Sequence, residues 1–194
     1  MRTIVLASTS PYRRALLERL RLPFHVARPA VDEAALPGEP PAATAKRLAQ
    51  AKARAVAVDY REALIIGADQ VADVNGTHLG KPGNFTAALA QLEQMQGRTV
   101  MFHTAVAVLD AASGDLRTAE VPTRVRFRTL PRAALEAYLR LDEPYDCAGA
   151  AKIESAGIAL VESVEADDPT ALIGLPLISL TSLLSAFGVF VLPR

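Results

Sequence analysis

The chain has 194 residues, enough to bury a sizeable core within one domain over 1–194, with room for two lobes around a cleft. Apolar residues make up 51% and aromatics 5%, and the 21 basic and 21 acidic residues cancel to a formal charge of zero. Without a charge block or basic stripe, a general nucleic-acid binder is disfavoured. Without a signal pattern or an apolar run of membrane-spanning length, the reading is a soluble, cytoplasmic protein that engages no membrane.

One cysteine, Cys147, excludes an intrachain disulfide and a multi-thiolate metal site, and His25, His78 and His103 show no ligand spacing. Of the 21 basic residues only four are lysine (Lys46, Lys52, Lys81, Lys152). A chain that favours arginine this strongly can reserve lysine for places where a compact ammonium matters.

Ile4 to Ala7 reads as a short buried strand. Ser10 suits a helix N-cap and Pro11 the first helical position, so a helix starts there, with Leu16, Leu17 and Leu20 on its apolar face and Pro23 ending it. Its free N–H groups point back at Ser8-Thr9-Ser10, and with Arg13 and Arg14 nearby they make a candidate phosphate seat. Arg14 has a plainer option, an i,i+4 pair with Glu18.

Phe24 to Ala27 predicts a strand, and Asp32-Glu33 leads into a loop holding Pro37, Gly38, Pro40 and Pro41. An alanine-rich helix follows to about Val58, with Lys52 beside Leu48, Ala51 and Ala55. Leu64 to Val71 is an apolar strand closing on Asp69, at the kind of position where α/β folds place sites. Asn75-Gly76 signals a hairpin turn, Gly80-Lys81-Pro82-Gly83 a loop, and Phe85, Leu89, Leu92 and Met95 a helix that Gly97 stops.

Thr99 to Leu109 and Leu116 to Arg128 predict a long antiparallel hairpin, with Arg124, Arg126 and Arg128 on one solvated face. Pro131 opens another helix carrying Leu135, Tyr138 and Leu139. Asp146 to Gly157 is a small-residue loop, Ile158 to Val161 a strand, and Gly174-Leu175-Pro176 precedes a last helix to about Phe187. The pattern is a mixed α/β domain.

No P-loop, GxGxxG or nucleophile elbow is present. What remains is acids (Asp32, Glu33, Asp69) and bases (Arg13, Arg14, Lys52, Lys81, Lys152) around a helix start. Cations that clamp phosphates, with carboxylates that hold a hard divalent ion and activate water, make a phosphoanhydride hydrolase. Taken singly, each of these residues also reads as a turn, surface or snorkelling charge.

Six stretches occur in order: Ser8-Thr9-Ser10-Pro11-Tyr12-Arg13-Arg14, Val31-Asp32-Glu33, Leu48 to Ala53, Ile66-Gly67-Ala68-Asp69-Gln70-Val71, Gly80-Lys81-Pro82 and Gly174-Leu175-Pro176. Together they resemble the Maf family of nucleoside triphosphate pyrophosphatases. The resemblance implies an elongated mixed sheet flanked by helices, shared with inosine triphosphate pyrophosphatases. It implies hydrolysis between the α- and β-phosphates with a divalent cation, Mg²⁺ or Mn²⁺. Asp69 would accept the proton of the attacking water; Ser8, Arg13, Arg14, Lys52 and Lys81 would bind the triphosphate; Glu33 would hold the metal with Asp69. The family includes a second substrate class, dTTP and UTP, and a label of septum formation that fits a non-catalytic nucleotide-binding regulator. A homodimer is compatible with it.

Tyr12, Gln70 and Glu154, where many members have Arg, Thr and Gln, resemble the subgroup acting on 7-methyl-GTP, although Trp is more usual there than Tyr12. The chemistry agrees. N7-methylation makes guanine cationic, so an aromatic ring can stack on it with about 0.5–2 kcal/mol of cation–π attraction. A carboxylate at 154 can accept from N1–H and the exocyclic amine.

Overall fold

In the computed structural model, which describes residues 2–192, a seven-stranded sheet runs β2-β1-β3-β5-β6-β7, with β4 also on β3. β1 (Ile4–Ala7) lies parallel to β2 (His25–Ala27) and to β3 (Leu64–Val74). From β3 onward the pairing is antiparallel, through β4 (Thr77–Leu79), β5 (Thr99–Asp110), β6 (Leu116–Phe127) and β7 (Val161–Ala166). Helices α1 (Pro11–Glu18), α2 (Pro41–Ala57), α3 (Phe85–Met95), α4 (Arg132–Asp142) and α5 (Leu177–Ala186) flank it. This is the mixed, helix-flanked sheet expected of the sequence.

The local signals explain most boundaries. Ser10 accepts the Arg13 N–H at 3.4 Å as N-cap of α1, and Asn84 accepts the Ala87 N–H at 2.9 Å for α3. Asn75 and Gly76, with φ of 51° and 84°, close the β3–β4 hairpin in the left-handed conformation that two-residue turns of this type require. Arg124 and Arg126 stand on the exposed face of β6 as the alternation predicts, with Arg128 exposed just beyond its end.

Three boundaries differ from expectation. Leu20 lies beyond the end of α1, which stops at Glu18, although it still packs against the core. Residues 156–160 form a 3-10 turn rather than a strand, and β7 begins only at Val161, because β6 offers Phe127 as its first partner there. Asp69 does not end its strand: β3 continues to Val74, since β5 pairs it through Asp73 and the hairpin with β4 extends it further.

Along β3, β1 pairs only with Leu64 to Gly67, and β4 only with Ala72 to Val74. Both lie on the edge of β3 opposite β5, so positions 68–71 have a strand on one side and, among the described residues, none on the other. The sheet therefore carries a notch. One apolar core, with Leu16, Leu17, Ile66, Val106 and Leu180, sits at one end of the sheet. A second, with Val74, Leu92, Phe102, Leu135 and Leu139, sits at the other, and β3 and β5 run through both.

α2 reaches β3 unusually closely. Ala45, Ala49 and Ala53 are fully buried, and a Cβ on Gly67 would lie 2.1 Å from the Ala49 carbonyl oxygen and 2.8 Å from the Ala53 nitrogen. Only glycine opposite an alanine face permits this approach. It carries Lys52, on the same helix, to the strand.

Candidate active site

The notch opens into a cleft of about 650 Å³. Of the residues singled out in the sequence, Ser8, Tyr12, Arg13, Glu33, Lys52 and Asp69 line it, and so do Gln70, Lys81 and Glu154. Arg14 does not. Its exposed guanidinium turns to Glu18, Nε to Oε1 at 2.9 Å, forming the i,i+4 pair.

Side chains alternate along β3, so Asp69 shares the α2 face with Gly67 while Gln70 faces the opposite side. Lys52 Nζ donates to Asp69 Oδ1 at 2.7 Å and lies 2.6 Å from Glu33 Oε1. Lys52 is 3% exposed and Asp69 6%, so the ammonium is removed from water and held between two carboxylates. Burial alone would push the Glu33 carboxyl up. The hydrogen bond from Lys52, with the charges of Lys52, Lys81 and Arg13, outweighs it and holds Glu33 below its ordinary value.

Arg13 is fixed by a bond from its Nε to the Gly174 carbonyl at 2.9 Å, which leaves its terminal nitrogens for a ligand. Burial lowers its pKa, against the attraction of Asp69 and Glu33. Gly174 needs its glycine: φ is 116°, and a Cβ there would lie 3.4 Å from Arg13 Nε. Ser8 is buried, its Oγ accepting the Ser10 N–H at 3.1 Å, so its own proton remains to be donated.

Gln70 anchors the wall behind Arg13. Its Nε2 lies within 3.1 Å of Thr104 Oγ1 and the carbonyls of Ala171 and Leu172, and Thr104 Oγ1 donates to Ala171 O at 2.9 Å. With Nε2 committed to carbonyls, only the accepting oxygen of the amide is left for a ligand.

Asp146, Cys147 and Glu154 also line the cleft, together with Tyr12. Burial raises the Tyr12 phenol, and the Lys152 ammonium stands 5.4 Å from the ring centroid. Burial also raises Glu154, helped by Asp142 and Asp146 and opposed by Lys152. The Cys147 thiol is pushed up to about 12 by burial and the neighbouring Asp146, so it is not a ready nucleophile. Arg28, His78 and Asp146 line the cleft without having been singled out. No spacing marks them in the sequence; they enter through the loop after β2, the β3–β4 hairpin and the turn before Cys147.

Among the described residues no group of three or more His, Cys, Asp and Glu side chains gathers as a metal cage. Glu33 and Asp69 nevertheless fit a hard divalent ion, because a cationic group already bridges them and such ions complete their shell with water and phosphate oxygens.

The model of the family described as Maf-like protein matches residues 3–187. The chain belongs to the Maf family. A relative from Paraburkholderia xenovorans (strain LB400), named 7-methyl-GTP pyrophosphatase, is 58% identical to this Maf chain over 188 residues, 95% of the chain and 92% of the relative. One of the same name from Thiobacillus denitrificans (strain ATCC 25259 / T1) is 56% identical over 190 residues, covering 98% and 94%. Another from Polaromonas sp. (strain JS666 / ATCC BAA-500) is 58% identical, covering 97% and 86%. Among solved structures, a HAM1 protein from Coxiella burnetii aligns with 68% of the Maf chain and 75% of its own at a TM-score of 0.45 and 15% identity.

Proposed function

We propose that the protein hydrolyses 7-methyl-GTP between its α- and β-phosphates, giving 7-methyl-GMP and pyrophosphate. The observation that carries the reading is the polarity of this cleft. Arg13, Lys52 and Lys81 supply cations at the notch, whereas Tyr12, Asp146 and Glu154 supply a ring and carboxylates elsewhere in the same cleft. A triphosphate joined to a cationic base matches both, and a neutral pyrimidine matches only the first. The names of the relatives support the same substrate.

In this reading Arg13, held by Gly174, and Lys81 bind the triphosphate oxygens, and Ser8 donates a hydrogen bond to it. Lys52 moves its bonds from the carboxylates towards the phosphate charge, freeing Glu33 and Asp69. Asp69 takes a proton from water as the water oxygen bonds to the α-phosphorus; the bond from that phosphorus to the bridging oxygen breaks, and pyrophosphate leaves with the electron pair. A divalent ion held by Glu33 and Asp69 would neutralise developing charge on the phosphates.

A panel of triphosphates with Mg²⁺ or Mn²⁺, read as pyrophosphate release, tests this. We expect 7-methyl-GTP to give the highest kcat/KM, and Glu154→Gln to lower it by about tenfold, the loss of one charge-assisted recognition. Acidification should lower the wild-type kcat/KM above the ordinary carboxylate range, because Glu154 is raised and loses its charge early. Faster turnover of dTTP or UTP would overturn the substrate; no turnover of any triphosphate would favour a regulator.

A further inference from the structure

The segment 150–157, which carries Glu154, buries Ala150 in the core and packs Ala151, Ile153 and Ala156 against it, and it is also tied down at several points by one helix. Tyr138 of α4 donates its hydroxyl proton to the Ala150 carbonyl at 3.2 Å and accepts the Lys152 N–H at 2.9 Å. Four residues on, at the end of the same helix, Asp142 uses both carboxylate oxygens. Oδ1 accepts the Ser155 hydroxyl at 2.9 Å and Oδ2 accepts the Gly157 N–H at 3.3 Å. Its main-chain carbonyl accepts Lys152 Nζ at 3.1 Å, and that ammonium stands over Tyr12.

The segment turns back sharply on itself. Ser155 N donates to Lys152 O at 3.0 Å, and a Cβ at Gly157 would fall 2.4 Å from that same oxygen. Glu154 lies at the bend, between the Lys152 and Ser155 anchors. No bond from Asp142 reaches the Lys52–Asp69 centre.

The geometry points to Asp142 as a positioning residue for base selection: its carboxylate fixes the bend that presents Glu154. This rests on the reading that Glu154 and Tyr12 meet the base. Selection then depends on an acidic residue that touches no substrate. A carboxylate serves here because it accepts at two positions at once, and bonds to a charged acceptor are stronger than neutral ones.

The test uses the full chain with Asp142→Ala, Asp142→Asn and Ser155→Ala, comparing kcat and KM for 7-methyl-GTP and UTP and hydrogen exchange of amides 152–157. Asp142→Ala should lower the preference for 7-methyl-GTP by about tenfold through KM, leave kcat within about twofold and speed exchange at 152–157. Asp142→Asn keeps one accepting oxygen and should recover most of the preference; Ser155→Ala removes one bond and should cost a few-fold. An unchanged preference in Asp142→Ala, or an equal loss on both substrates, overturns the inference. If Asp142→Ala does not fold, an unchanged preference in Ser155→Ala overturns it. The functional reading stands or falls on the wild type's own preference, and this inference on how that preference changes in the variants.

Discussion

Gly67→Ala strikes the point where α2 meets β3. The added Cβ would lie 2.1 Å from Ala49 O, 2.8 Å from Ala53 N and 3.1 Å from Ala53 Cβ. An ordinary carbon–oxygen contact is about 3.3 Å, so the helix must retreat by about 1 Å. Two of these atoms are backbone, so rotating a side chain cannot relieve the clash. Overpacking of this kind costs about 1–3 kcal/mol, and for a chain of this length Tm falls by about 2–4 °C per kcal/mol. Lys52 lies between Ala49 and Ala53 in sequence and moves with them. Its 2.7 Å bond to Asp69 would lengthen to roughly 3.7 Å, beyond hydrogen-bond range. A displacement of about 1 Å at a reacting centre can cost 10²-fold in rate. Thermal unfolding and pyrophosphate release on the same preparation check both numbers. A folded Gly67→Ala protein with wild-type kcat would refute the claim that this contact sets the Lys52–Asp69 geometry.

Lys52→Met should leave Glu33 and Asp69 facing each other without their bridging cation and lower kcat by about 10²-fold or more, measured at saturating nucleotide; near-normal turnover would remove Lys52 from the mechanism. At the far end of the sheet, the hydrogen bonds from Arg2, one of them from Nη1 to Oδ2 at 2.9 Å, hold the Asp110 carboxyl at about 2. A carboxyl depressed by folding adds stability above its ordinary value near 3.8 and loses it as pH falls towards about 2. Asp110→Asn should therefore flatten the dependence of Tm on pH across that window, and a profile as steep as wild type would count against it.

The parts of the fold that were legible in the sequence have local causes. The N-cap at Ser10, the Asn75-Gly76 turn, the β5–β6 alternation and the spacing of Leu89, Leu92 and Met95 each depend on residues a few positions apart. The extent of β3 was not legible, because it is set by pairing with β5, whose partners lie 28 to 46 residues away in sequence. The site follows the same division. Arg13 and Ser8 reach the cleft from the helix start, whereas one further residue of helix rotates a side chain by about 100° and takes Arg14 to Glu18, the i,i+4 option that the spacing also offered. Gln70 was singled out for the base, and its neighbours on the opposite face make its amide nitrogen an anchor for 171–172. The role of Asp142 has no sequence signal, because its partners are fixed only when the bend at 154 closes.

The notch in β3 has a consequence for how the molecule comes apart. Its walls belong to different cores: α1 packs with Ile66 and Leu180, while Leu79, just before Lys81, packs with Leu92 and Phe102. A nucleotide lodged there is a non-covalent splint between two halves otherwise joined through shared strands. Ligand at about a hundred times its Kd adds about 2.7 kcal/mol to the bound state. That increment falls on the junction rather than on either half, so occupancy should merge the opening of the two ends into one event, visible as slower hydrogen exchange on both sides of residues 68–71.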